Sequence, residues 1–388
     1  MIKVLSVIGT RPEAIKMAPV IQELQHYPTD IISKVCVTAQ HRQMTDQALA
    51  LFHIQPDYDL NIMKREQSLT GITTQVLEEL EPILKTEQPD WVLAQGDTTT
   101  VLATALAASY QRIKVGHVEA GLRTYDTANP FPEEVNRRIA DVLADRLFAP
   151  TRWAAENLRR ESVPKEKIVL TGNTIVDALQ QIAERPLPLH DTQLASLPVD
   201  QKRIILVTSH RREHLASGIE EICHALLAIA ERHSNVHFVF PVHPNPQVRE
   251  PVYSLLDGKP DISLLEPLDY TSCMWLLKKC YFVMTDSGGL QEEAPCLGKP
   301  ILVLRDTTER PEGMMGGSAK LVGTNPLRIF REATKLLTDS DAYQTMAQGS
   351  NPYGDGRAAR RIVHSLIPYQ LEQELKPVTI KEESHNAM

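Results

Sequence analysis

The sequence predicts an α/β protein of two Rossmann-like, doubly wound domains whose parallel sheets face each other across a cleft, on three observations. Short aliphatic and β-branched runs alternate with helical patterns along the chain, the order that gives parallel sheets covered by helices on both faces. The chain has 388 residues, the size of about two domains. A Pro-rich, polar stretch at 184–202, ERPLPLHDTQLASLPVDQK, separates two sets of strand candidates of similar number and reads as a linker region.

In the first set, strands are expected at 2–8 (IKVLSVI), 34–38 (KVCVT), 91–95 (WVLAQ), 113–118 (IKVGHV), 146–149 (RLFA) and 168–171 (IVLT). In the second set they are expected at 203–208 (RIILVT), 236–240 (VHFVF), 262–265 (ISLL), 281–285 (YFVMT) and 301–304 (ILVL). The clearest helical patterns are 99–110 (TTVLATALAASY) and 133–144 (EEVNRRIADVLA). We place the first domain at 1–173 and the second at 174–354. The end, 376–388, reads as a polar, disordered tail.

Bulk composition narrows the function classes. Hydrophobic content of 42% and charged content of 23% describe an ordinary globular protein. No apolar run approaches the ~20 residues that span a bilayer, and no secretory signal precedes the first strand, so a cytoplasmic protein without a membrane partner is expected. A net charge of −8 argues against nucleic acid as a partner. An anionic ligand would have to be met by a few placed cations and backbone amides. The cysteines Cys36, Cys223, Cys273, Cys280 and Cys296 are scattered and form no CxxC pair, which predicts buried thiols rather than disulfides or zinc. No GxGxxG follows the first strand and no GxxxxGK[ST] occurs, disfavouring a nicotinamide cofactor and a P-loop nucleotide site.

Open parallel sheets bind ligands beyond the carboxyl ends of their strands, and the distinctive residues fall there. The first strand leads into GTRPEAIK, with Arg11 and Lys16. Thr10 and Glu13 have capping-box spacing, and Pro12 suits a first helical turn, which leaves Glu13 open to a wholly structural role. Pro19 predicts a break or kink near Ala18. Arg11 would stand at the positive end of the helix dipole, unfavourable for a cation without a bound anion. TDSGGLQEE places Ser287, Gly288 and Gly289 between a strand and a helix, which aims amides at an anion or forms a tight turn with a serine N-cap. Glu293 reads either as a ribose-binding group or as a surface carboxylate. His210 and His243 lie at strand ends, whereas His237 reads as a packing or surface group. Asp97, Glu119 and Glu133 are three carboxylates around one cleft, suited to proton transfer if burial raises a pKa. Each alone also fits a cap or an ion pair, and Asp97 could cap the helix starting near Thr99.

Taken together and in this order, GTRPEAIKMAP, QGDTTT, GHVEAGLRT, PFPEEVNR, HRRE, TDSGGLQEEAP, LGKP and RDTTERPE resemble the bacterial non-hydrolysing UDP-N-acetylglucosamine 2-epimerases over roughly residues 1–370. Hydrolysing relatives typically replace GTRPE. The resemblance implies a GT-B-type pair of domains, a final helix at about 355–372 crossing back to the first, a homodimer, and interconversion of UDP-GlcNAc and UDP-ManNAc without metal or redox cofactor. It implies proton-transfer roles for Asp97, Glu119 and Glu133, and help for the leaving UDP from His210. Arg11, Lys16, Ser287, Gly288, Gly289, Glu293 and Arg310 would bind the nucleotide. Gln40, Gln43, Arg211 and His243 match positions holding a second, activating UDP-GlcNAc. Three departures stand out: Glu66 beside Arg65, where relatives can carry an arginine contacting the activator; His214, where Asn commonly follows HRRE; and Cys273, where some relatives place an aromatic beside the uracil. A GT-B glycosyltransferase, a hydrolysing epimerase and a silent nucleotide-sugar sensor are the rival readings.

Overall fold

Each apolar run at the start of a helical stretch becomes one strand of a parallel sheet in the computed structural model of the chain, which describes residues 1–38, 42–62, 67–183, 192–209, 218–349 and 351–367. The first sheet contains β1 (Ile2–Ile8), β2 (Ile31–Val37), β3 (Tyr58–Asp59), β4 (Trp91–Gln95), β5 (Lys114–Val118), β6 (Arg146–Ala149) and β7 (Ile168–Leu170). The second contains β8 (Arg203–Thr208), β9 (Val236–Pro241), β10 (Ile262–Leu265), β11 (Phe282–Thr285), β12 (Ile301–Val303) and β13 (Ala319–Leu321). Their orders are β3-β2-β1-β4-β5-β6-β7 and β10-β9-β8-β11-β12-β13.

Helices of the first half are α1 (Arg11–Gln25), α2 (Arg42–Leu51), α3 (Leu69–Glu87), α4 (Thr99–Tyr110), α5 (Glu133–Leu143), α6 (Arg152–Arg160) and α7 (Thr174–Ala183). Then follow α8 (Thr192–Ala195), α9 (Gly218–Arg232), α10 (Pro246–Leu256), α11 (Tyr270–Lys279), α12 (Gly288–Cys296), α13 (Glu312–Met315), α14 (Pro326–Thr338), α15 (Ser340–Ala347) and α16 (Ala358–Leu366). Among the described residues, no helix is long and apolar enough to cross a membrane.

Two separate apolar layers cover the outer faces of the two sheets. A third joins the halves: it runs from Val4 and Ile8 through α1, α7 and α16 to Leu206, Val239 and Val303 of the second sheet. The last helix, α16, packs on α1 and α7. As described, it ends at Leu366, inside the expected 355–372; residues 368–372 lie outside the described residues.

The structure corrects several expectations. β2 begins at Ile31 rather than 34, because β1 pairs with it along its whole length, from Ile2 opposite Ile31 to Ile8 opposite Val37. β3 and β13 were not expected; strands of two and three residues are too short to show a period. Part of the expected linker, Thr192–Ala195, is helical. Pro19 does not break α1, which continues to Gln25. An interior proline costs about 3 kcal/mol, but Met17, Val20, Ile21 and Leu24 beside it are fully buried, and each contributes roughly 1.5–3 kcal/mol on burial.

The capping box at Thr10 is also incomplete. The Thr10 side chain caps no backbone amide; its hydroxyl donates to Glu13 Oε1 at 3.0 Å, while Gly9 N donates to Glu13 Oε2 at 2.6 Å. Glycine at position 9 is required sterically: a Cβ there would lie 2.5 Å from the Thr100 hydroxyl at the start of α4.

Burial pushes the Glu13 carboxyl up to about 7, against bonds from Gly9, Thr98 and Thr10. The folded protein therefore holds this proton more tightly than the unfolded chain. The stabilisation is full below the ordinary value of 4.5 and is lost as pH rises through about 7. At roughly 1.4 kcal/mol per pH unit, the loss approaches about 3 kcal/mol. Glu13→Gln should thus gain melting temperature relative to the parent as pH rises from about 5 to about 8; a difference that stays flat in calorimetry across that range would refute the assignment.

Candidate functional site

The carboxyl ends of both sheets converge on one buried cluster. Lys16, on the second turn of α1, is 6% exposed; Glu119, directly after β5, is 8% exposed; and Glu292 of α12 is 1% exposed. The Lys16 ammonium donates to Glu119 and sits 2.7 Å from Glu292 Oε2. Arg310 Nε donates to Glu292 Oε1 at 2.5 Å, and its Nη2 lies 3.9 Å from Glu119 Oε1. The result is a ring of alternating charge, with Lys16 and Glu119 from the first half and Glu292 and Arg310 from the second. Asn173 Nδ2 donates to Glu119 at 3.1 Å. Glu309 accepts from Arg310 and, at 2.9 Å, from Arg305.

Charge states follow from this arrangement. Burial raises the Glu119 carboxyl; Lys16 and Arg310 oppose the shift and the negative Glu292 adds to it. Burial also disfavours a charged Glu292, but Arg310 and Lys16 outweigh it and hold that carboxyl below the usual range. Two carboxyls in one ring are thereby driven in opposite directions, the pattern by which neighbouring carboxyls take different roles. Glu119 also has φ of +68°, a left-handed conformation that costs a non-glycine residue on the order of 1–3 kcal/mol and persists only where the surroundings impose it.

The other sequence-selected residues take these places. Ser287, Gly288 and Gly289 open α12; the Ser287 hydroxyl makes no cap bond, and its amide donates to Thr285 Oγ1 at 2.9 Å. A Cβ on Gly288 would lie 2.7 Å from Arg310 Nη1, so only glycine lets the guanidinium rest against the helix start. Glu293, beside Glu292, turns elsewhere: it accepts from Tyr270 at 3.2 Å, and burial, with Glu292 adding, pushes it up to about 7. Its burial excludes the surface-carboxylate reading. Arg11 reaches across to the Leu268 carbonyl at 3.5 Å, near Tyr270, Cys273 and Glu293.

Asp97 does not cap α4, whose N-cap is Thr98. Its carboxylate is held instead by Arg137, through Nη2 and through Nε at 3.0 Å, while Asn136 Nδ2 donates to its carbonyl at 2.9 Å. Glu133 is the first residue of α5, one turn from Arg137. His243 is exposed beyond β9, where its Nδ1 accepts from Asn245 N at 3.2 Å. Gln40, His210 and Arg211 lie outside the described residues, as do Arg65, Glu66 and His214. Gln43 is in α2, but its side chain is outside them.

Sequence reasoning missed Glu292, Arg137, Asn173 and a buried support beneath Asp97. In that support His117 donates from Nδ1 to Asp141 at 2.6 Å and from Nε2 to the Gly96 carbonyl at 2.7 Å. Both ring nitrogens face oxygen acceptors, an arrangement that favours the imidazolium form. Burial opposes that charge, and Asp141 with Gly96 outweighs it, raising the pKa. Arg123 completes the group 2.8 Å from Asp141. A spacing signal existed for Arg137, four residues after Glu133 on one helix face; the others are contacts of long sequence separation.

Comparison with known proteins identifies the family and the fold. The family model described as UDP-N-acetylglucosamine 2-epimerase matches residues 22–367. The chain belongs to the UDP-N-acetylglucosamine 2-epimerase family. It is similar to the UDP-N-acetylglucosamine 2-epimerase of Escherichia coli K12, at 53% identity over 369 residues, covering 94% of this chain and 98% of that one. Its structure is similar to that of the Neisseria meningitidis UDP-GlcNAc 2-epimerase bound to UDP-GlcNAc, with TM-score 0.88, 50% identity and coverage of 94% and 99%. The Methanocaldococcus jannaschii UDP-GlcNAc 2-epimerase in complex with UDP-GlcNAc and UDP is similar at TM-score 0.80 and 35% identity, covering 94% of this chain and 99% of that one. The two parallel-sheet halves are thus the GT-B-like architecture of these epimerases, and the activity supported is that of a UDP-N-acetylglucosamine 2-epimerase.

The support under Asp97 has a measurable consequence. Asp141→Asn leaves His117 and Arg123 buried without their shared anion and is expected to destabilise the protein by roughly 3 kcal/mol, since removing one member of a buried ion pair costs about 3–5 kcal/mol. Chemical denaturation measures it, and an unchanged midpoint would show that the cluster contributes little.

Proposed function

We propose that this epimerase-family chain interconverts UDP-GlcNAc and UDP-ManNAc without net hydrolysis, supplying ManNAc precursors for cell-surface polysaccharide. The observation that carries this reading is the ring around Glu119. A buried carboxyl of raised pKa stands between two cations, with Gly288 and the start of α12 against one of them. Proton transfer and anion binding are both provided for within it.

The chemistry explains why the two belong together. The hydrogen on sugar C2 is not next to a carbonyl, so direct removal is too costly. Breaking the C1–O bond sends its electron pair to the UDP oxygen. Positive charge growing at C1 acidifies C2–H, and a carboxylate takes that proton as the C1–C2 double bond forms. The bound 2-acetamidoglucal and UDP then recombine, with a proton delivered to the opposite face of C2. In this scheme Arg11, Lys16, Ser287, Gly288, Gly289 and Arg310 hold the nucleotide and its phosphates. Glu293 takes the ribose hydroxyls, and His210 assists departure of UDP. Glu119 and the pair Asp97 and Glu133, gathered by α5, exchange the protons. GTRPE, kept at the opening of the chain, supports the non-hydrolysing outcome. From the resemblance we also carry over a homodimer and an activator site at Gln40, Gln43, Arg211 and His243.

Incubation with UDP-GlcNAc in D2O, followed by proton NMR, should yield UDP-ManNAc carrying deuterium at C2 and little free ManNAc. Net release of ManNAc would establish the hydrolysing reaction instead, and binding without exchange a sensor. Glu119→Gln should lower turnover by about a hundredfold or more, as loss of a general acid–base group does; a near-parental rate would remove Glu119 from the mechanism. Gly288→Ala should displace the Arg310 guanidinium and weaken UDP binding by roughly tenfold, about the worth of one charge-assisted hydrogen bond. Calorimetry would detect it, and parental affinity would place the phosphates elsewhere.

A further inference from the structure

We propose that Glu292 is a positioning residue for the epimerisation: from the second half of the molecule it holds Lys16 and Arg310, and through them it fixes the stance of Glu119 across the cleft. The inference rests on the role given to Glu119 above.

Glu292 and Glu293 are neighbours on α12, but a helix turns about 100° per residue, and the two carboxylates serve different directions. Glu293 meets Tyr270. Glu292 enters the ring, with one oxygen on Arg310 Nε at 2.5 Å and the other 2.7 Å from Lys16 Nζ. Both cations also touch Glu119. Without Glu292, the Lys16 ammonium would have Glu119 as its one remaining carboxylate partner in the ring, and Arg310 would keep Glu309. The balance of two cations against two anions would then be broken in a buried place, where an unmatched charge is most costly.

The electrostatic surroundings of Glu292 point the same way. It faces Lys16 and Glu119 from the first half and Arg310 and Glu312 from its own half. Glu293, Cys296 and Tyr353 also border it. The two cations keep it ionised, and its negative charge adds to the upward shift of Glu119. Removing that charge must therefore move the Glu119 titration to lower pH. A side chain that merely filled space would not do this.

The test compares Glu292→Gln, which removes the charge and keeps the size, with Glu292→Asp, which keeps the charge and shortens the reach. We expect Glu292→Gln to lower kcat by about a hundredfold, the scale of a small misplacement of reacting groups. The limb of the kcat/KM pH profile that reports Glu119 should shift to lower pH. Glu292→Asp should also lose kcat but leave that limb in place. Parental kcat in Glu292→Gln, or a loss of rate that tracks a fall in melting temperature with no shift of the limb, would overturn the proposal. Proton uptake on UDP binding, measured by calorimetry in two buffers of different ionisation enthalpy, gives a readout that does not depend on turnover. It should differ between the parent and Glu292→Gln, and equal uptake would again overturn the proposal. Should the parent itself put no deuterium into the sugar, the epimerisation reading fails, while the proton-uptake comparison still decides whether Glu292 governs the ring.

Discussion

Two cations and two carboxylates, one of each from either half of the molecule, close a buried ring where the two sheets point their carboxyl ends at each other. Each of these charges, taken alone, would lose several kcal/mol on leaving water. Together they neutralise one another, and the network extends on the second side through Glu309 to Arg305. The arrangement is weak evidence for added stability, because well-packed apolar side chains can replace buried ion pairs without loss. Its value is geometric. It sets two cations and two carboxylates within hydrogen-bonding or ion-pairing reach of one another, where an entering anion would have to compete with the carboxylates for Lys16 and Arg310.

The fold explains how those side chains reach one point. Parallel strands deliver Lys16, Glu119 and Arg310 from separate segments to the same edge, and α12 begins there with two glycines. Helix α5 then does something unusual for an amphipathic helix: its buried face carries Glu134, Asn136, Arg137 and Asp141. Burial of polar groups is tolerable when each is bonded. Glu134 accepts from Thr124 N at 3.0 Å and Tyr125 N at 3.1 Å, Arg137 holds Asp97, and Asp141 holds His117. The helix is a polar brace that aims Asp97 and starts with Glu133.

Much of this was legible in the sequence, and the limits have physical causes. Central strands announce themselves because they are buried on both faces and run as unbroken apolar stretches; β4 and β8 matched their expected bounds. Edge strands as short as β3 carry no period. The break allowed for at Pro19 does not occur because local propensity is set against burial along α1, and burial outweighs it. The motifs drew attention to Glu119, Lys16 and Arg310, since strand ends are where chemistry collects. They could not reveal Glu292, whose neighbour in QEE looked equally exposed and whose partners are 276 positions earlier and 18 later in the chain. Asp97 looked like a helix cap because a cap needs only local spacing; its actual partner, Arg137, is 40 residues away.

Helix α16 gives the fold a temporal property. Its Ala359, Ile362, Val363 and Leu366 belong to the same apolar layer as the inner side of α1, so the first half is roofed by the last described helix of the chain. A ribosome releases residues in order, and domains generally condense as they emerge. Here part of the apolar side of α1 stays without its final cover until residues 358–366 have left the exit tunnel. Completion of the layer over α1 therefore follows synthesis of a helix more than 300 residues downstream of it.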